Sequence, residues 1–162
     1  MTEQEIQKLF EDIRQMKIQK ANLTAAIEDL EEEMTAIRAI NYERPRVTGT
    51  ANSDIAMTIE RIWEKQEKLM KDFVKTLEYL TKAVTTAYKL MNLCENAEQR
   101  AVLRYKYMEL LDSTQIQNKM HYGRTWIYLL EQRAIQAIAK ETTRIRQEHR
   151  VTQKKKRKSE QV

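Results

Sequence analysis

Only two glycines and one proline occur among 162 residues, and that scarcity constrains the fold more than any motif does. These are the residues that interrupt helices, so nearly the whole chain can be helical and the few places they occupy mark breaks. Pro45 and Gly49 fall together in one segment, and Gly123 stands alone in another.

Ahead of the first break, alternating steps of three and four select Ile6, Leu9, Ile13, Met16, Lys20, Leu23, Ile27, Leu30, Met34 and Ile37, of which only Lys20 is not apolar. Beyond it the same steps select Ile55, Ile59, Ile62, Gln66, Leu69, Phe73, Thr76, Leu80, Ala83, Ala87 and Leu90, with Gln66 and Thr76 polar. Stripes this long, with Glu31, Glu32 and Glu33 off the seam, predict coiled-coil helices rather than core helices of a compact globule. Each spans roughly 55–60 Å at 1.5 Å per residue, and equal lengths predict an antiparallel hairpin. Pro45 disfavours helix at Arg44, and Asn52 or Ser53 can cap the second helix. The loop over 41–53 exceeds what a hairpin needs, so it is either a mobile tip or a contact made by Tyr42, Arg44 and Arg46. Trp63, beside Ile62, is expected to pack. Hairpin seams of this kind also predict self-association.

The chain from 97 to 138 has the pattern of three short helices with two tight breaks, the spacing of a helix-turn-helix. AEQRAVLRYKYMELL carries a stripe at Val102, Leu103, Tyr107 and Leu110. Asp112 with Gln115 three residues on forms a capping-box pattern, and Ile116 and Met120 supply that short helix's buried face. His121-Tyr122-Gly123 forms the turn, with His121 where the backbone must be left-handed and Gly123 as an N-cap. Ile127, Leu130, Ala134 and Ile138 then face a core. Arg124, Thr125, Tyr128 and Gln132 point outward; Leu129 and Trp126 lie at the margins, and Trp126 is equally consistent with core and with a groove-facing position.

Leu103-Arg104-Tyr105-Lys106-Tyr107-Met108-Glu109, Ile116, and Tyr122-Gly123-Arg124 leading to Ile127, Leu130, Ala134 and Ile135 resemble region 4 of the sigma-70 family. The resemblance is closer to the small phage regulators of the ArpU and RinA type, which carry a sigma-region-4-like C-terminus, and it covers about a quarter of the chain. It implies double-stranded DNA as a partner, RNA polymerase as a further candidate, and Arg124, Thr125, Trp126, Tyr128 and Leu129 as residues touching bases and phosphates. Four positions depart from the family's pattern. Gln117 stands for a small residue, Leu110 and His121 for glycines, and Leu129 for a polar base-reader.

Charge is uneven. Residues 142–162 hold eight Lys or Arg against two Glu, so this segment is more basic than the whole chain at +5 and the remainder sums to −1. The run Lys154, Lys155, Lys156, Arg157 and Lys158 could hold phosphates without reading sequence, aid solubility as a solvated terminus, or serve as a nuclear-import patch.

Enzyme chemistry is not visible, and no cofactor or metal is expected. His121 and His149 lack partners at metal-ligand spacing, and glycine-rich phosphate loops, G-x-S-x-G elbows and H-E-x-x-H motifs are missing. Cys94 is the single cysteine; it is expected to be structural, and one cysteine suits a reducing compartment. No apolar run approaches the ~18 residues of a membrane span, nor does the N-terminus have a signal peptide's order. The expectation is an all-α protein of the bacterial cytoplasm: a coiled-coil hairpin over 1–93, a sigma region 4-like helix-turn-helix over 94–141, and a basic, disordered tail over 142–162. Its expected work is transcription regulation of phage or prophage type, reading DNA with helix 124–138, as a homo-oligomer away from membranes. The alternative is a coiled-coil interaction factor that binds a polymerase or host protein without reading DNA.

Overall fold

A computed structural model describes the backbone of residues 1–43 and 51–159 and the side chains of residues 1–39 and 54–153. The chain is all-α: α1 (Glu3–Glu43), α2 (Ala51–Met91), α3 (Ala97–Leu103) continuing as a π-helical turn (Arg104–Met108), α4 (Ser113–Met120) and α5 (Arg124–Ser159). Both α1 and α2 are 41 residues long. Every position of the two apolar stripes is buried or half-buried, including the polar Lys20, Gln66 and Thr76. Thr76 is accommodated because its hydroxyl donates to the Asp72 carbonyl of its own helix at 2.8 Å, which satisfies the polar group where water is excluded. Helix α2 begins at Ala51, ahead of both expected caps at Asn52 and Ser53.

Two compact units divide the chain elsewhere than at the expected boundary of residue 93. Met16–Thr81 form one, and Met1–Gln15 together with Lys82–Val162 form the other. In the first, Leu30, Met34 and Ile62 make a buried cluster with Ile37, Ile59 and Leu69 packed on it. Trp63 does not join it: at 58% exposure it faces solvent, one residue past the seam position at Ile62.

In the second unit Ile6, Phe10 and Ile13 are fully buried, as are Ala87, Cys94, Leu103 and Ile138. Phe10 stacks on Tyr107 with ring centroids 5.2 Å apart. The start of α1 therefore belongs to the same core as the C-terminal helices, because its Ile6-Phe10-Ile13 face is too apolar to stay in water. Helix α5 replaces the expected disordered tail, its backbone being helical through Ser159. No glycine or proline follows Gly123, and Arg144 pairs with Glu141 at 3.0 Å and with Glu148 at 3.7 Å along one face, so nothing local ends the helix. Among the described residues no helix is long and apolar enough to cross a membrane.

Candidate nucleic-acid interface

Each of the short helices is started by its own sequence. Asn96 caps α3, its Oδ1 accepting from the Glu98 and Gln99 backbone N–H groups at 2.8 and 3.1 Å. The expected single helix over AEQRAVLRYKYMELL instead widens at Arg104 into the π-helical turn, where the Glu109 N–H reaches the Arg104 carbonyl at 2.9 Å. The wider turn carries Tyr107 and Met108 into the core, where both are buried, as are Val102 and Leu103 just ahead of it. Met108 thus takes the core place expected of Leu110, which is only half-buried. Leu110 ends the turn with φ 58°, the left-handed backbone that normally selects glycine, and the Leu111 N–H closes back onto the Tyr105 carbonyl at 2.9 Å.

Helix α4 is bounded as expected. The Asp112 N–H donates to Gln115 Oε1 at 2.9 Å and the Gln115 N–H to Asp112 Oδ1 at 2.8 Å, a reciprocal pair that satisfies two otherwise orphaned donors of α4. His121 ends α4 with φ 57°, and the Gly123 carbonyl accepts from Trp126 and Ile127 to begin α5. Val102, Ile116, Ile127 and Leu130 form one buried cluster, with Tyr105, Leu111, Met120 and Tyr122 packed on it.

That cluster decides which side of α5 is free. Arg124, Thr125, Trp126, Tyr128 and Leu129 are exposed and Gln132 is half-buried; Tyr128, at 59%, is the most open of the aromatic and aliphatic residues in this stretch. Trp126 sits at the rim of the cluster. It is 40% exposed, its ring edge-on to Tyr122 at 6.3 Å and covered by the Arg133 guanidinium at 5.4 Å. Tyr122 in turn donates its hydroxyl to Glu98 at 2.7 Å, and this bond raises the phenol's pKa. From Arg124 to Lys140 the exposed charges of α5 are Arg124, Arg133 and Lys140, all positive. The side chains of Lys154, Lys155, Lys156, Arg157 and Lys158 lie outside the described residues, as do those of Tyr42, Arg44 and Arg46.

A second basic group lies on the π-helical turn and α4. The Arg104 guanidinium at 5.0 Å and the Lys119 ammonium at 4.5 Å both lie over the Tyr105 ring. Glu109 bridges the same two cations at 3.2 and 2.8 Å, and the Lys119 contact holds its carboxyl below the usual carboxylate range. Spacing along the sequence gives no sign of this arrangement, since Lys119 reaches Glu109 across ten residues.

Glu131 is the polar residue that helical periodicity passes over. It follows Ile127 by four and precedes Ile135 by four, on the buried stripe, and is 5% exposed. Lys106 Nζ lies 2.7 Å from both of its oxygens and the Tyr107 hydroxyl donates to Oε1 at 2.5 Å. Burial first, then the Glu131 bond, pushes the Tyr107 hydroxyl far above its ordinary pKa. A charge in register with an apolar stripe is the signal that could have located this group. It ties the π-helical turn to α5 and holds α5 in place rather than offering a reactive pair.

Cys94 is fully buried with its thiol 3.1 Å from Gln99 Oε1, and burial pushes its pKa up, away from the reactive thiolate. Among the described residues no group of His, Cys, Asp and Glu is placed to hold a metal ion. No protein-family model, curated protein or solved structure matches the chain.

Proposed function

We propose that this protein is a DNA-binding transcription regulator of phage or prophage type that works in the bacterial cytoplasm, reading double-stranded DNA with the first turns of α5. The observation that carries the reading is the two-sidedness of those turns. Ile127, Leu130 and Ala134 are buried while Arg124, Thr125, Tyr128 and Leu129 stand free, behind a capped α4 and a left-handed turn at His121. A helix held this way from behind can enter a major groove as the last helix of a helix-turn-helix does, and its uniformly positive exposed charge suits phosphates. The hairpin of α1 and α2 then serves oligomerisation or polymerase contact, and the basic end of α5 adds phosphate contacts.

Arg124→Ala and Tyr128→Ala test the reading. Both should weaken binding to a preferred duplex by about 1–3 kcal/mol, the worth of a good base contact, with helix content unchanged. Binding of preferred and scrambled duplexes by both variants at the parent's level would remove α5 as the reader.

The second reading, an interaction factor that acts through protein contacts alone, is favoured by Trp63, Met70 and Val74. These three are exposed on α2 at seven- and four-residue steps, a line beside the buried seam that a partner helix could cover. Under that reading Trp63→Ala changes the association state in sedimentation, and no duplex is preferred over another.

A further inference from the structure

The exposed side of the α5 first turns is unusual in what it offers. Ile127, Leu130, Ala134 and Ile138 define the buried line of the helix; at 3.6 residues per turn, Thr125 and Leu129 lie on the opposite line, one turn apart. Leu129 is 38% exposed and Thr125 is exposed. A leucine carries neither donor nor acceptor, so it cannot read a base edge by hydrogen bonding and it gains only from an apolar contact. Along the helix from Arg124 to Lys140 the exposed charges are Arg124, Arg133 and Lys140, with no exposed acid among them. The occupant that fits this face is therefore a polyanion with an apolar group at the depth the helix reaches. In a major groove that group is the 5-methyl of thymine, since the other features displayed there are hydrogen-bonding nitrogens and oxygens.

We infer that Leu129, with the Thr125 methyl beside it, reads thymine 5-methyl groups, so that the protein selects A·T pairs where α5 is seated. Gln132, one turn on, has an amide suited to adenine N6 and N7 in the same or the next pair. The inference rests on the proposal that α5 reads DNA and adds what it reads.

The test uses the full chain and duplexes selected by it from a random-sequence pool. The preferred duplex is resynthesised with dU in place of dT, one position at a time, which deletes the methyl and leaves every hydrogen-bonding group in place. Removal of one methyl that the protein touches should weaken binding roughly fourfold. Leu129→Ala should lose the difference between dT and dU at the thymine that Leu129 touches. Thr125→Ser, which removes a single methyl from an exposed position, is the second variant and should shrink the difference at one thymine, so a failure of Leu129→Ala to fold does not end the test. If the parent binds the selected duplex but tolerates dU everywhere, or if both variants keep the parent's dT-to-dU ratio, methyl reading by these residues is overturned and DNA reading by α5 stands. If selection enriches no duplex, the DNA reading itself falls and methyl reading falls with it.

Discussion

Glu131 keeps a carboxylate on the buried side of α5 because Lys106 and Tyr107 surround it. A buried carboxylate that loses a partner retains its desolvation cost, so the consequences of removing either partner differ in size. Tyr107→Phe removes one charge-assisted bond and should cost about 1.5–3 kcal/mol. Lys106→Met removes the counter-charge and should cost about 3–5 kcal/mol, toward the lower end because the lysine is partly exposed. Denaturant unfolding of the two variants checks the order. Tyr107 also carries a pH dependence. Its hydroxyl titrates near 10 when unfolded and well above that when folded, so its contribution is complete below about pH 10. As pH rises further the unfolded chain alone loses the proton, and stability falls by about 1.4 kcal/mol per pH unit until the folded pKa is passed. Tyr107→Phe should flatten this alkaline fall relative to the parent. At His121, exposed with φ 57°, glycine relieves the left-handed backbone but frees the unfolded chain. His121→Gly should therefore stabilise by only about 0.5–1 kcal/mol, and the branched His121→Val should destabilise, both read as shifts in unfolding midpoint.

The helices show how far local rules extend. Helix α4 has eight residues, too few to persist alone in water, so its reciprocal Asp112–Gln115 cap and the burial of Ile116 set its place together. Helix α5 has 36 residues, and only its N-terminal part, to Ile138, carries the densely buried face; beyond it the helix is held by local pairs and propensity. Lys154 to Lys158 belong to that extension, and the proposed DNA reading assigns them phosphate contacts that carry no sequence information. Deleting residues 151–162 should weaken binding to all duplexes by a similar factor, with little change in preference. The log–log salt slope should flatten by roughly 0.9 for each phosphate that the shortened chain no longer neutralises. An unchanged slope would assign the basic run to some other partner or to solubility.

For the molecule as a whole, the C-terminal helices do not form a unit by themselves, since Met1–Gln15 are part of it. Phe10 is fully buried against Tyr107, and replacing it leaves a cavity beside the Glu131 group. Phe10→Ala should cost about 3–5 kcal/mol and should raise hydrogen exchange in α3 and α5, more than 80 residues away in sequence. A fragment beginning at Cys94 should show the same loss of protection. Wild-type protection in either case would mean that the start of α1 is not part of this core.

What the sequence by itself determined is what depends on near neighbours along the chain. Scarce glycine and proline set the all-helical content, steps of three and four picked the buried sides of α1 and α2, and the Asp112–Gln115 and His121 signals placed the α4 boundaries. These are backbone and side-chain preferences acting within one or two turns. The outward set on α5 was legible in part: Arg124, Thr125 and Tyr128 are exposed, whereas Gln132 is half-buried and Leu129, expected at the margin, is exposed on the line opposite Ile127. Tertiary structure alone decided the rest. The π-helical turn buries Tyr107 and Met108, and Tyr107 meets Glu131 of α5. Lys106 and Glu131 meet across 25 residues, and Phe10 meets Tyr107 from the far end of the chain. No periodicity encodes such pairings, because their energy comes from excluding water between segments that become neighbours only on folding.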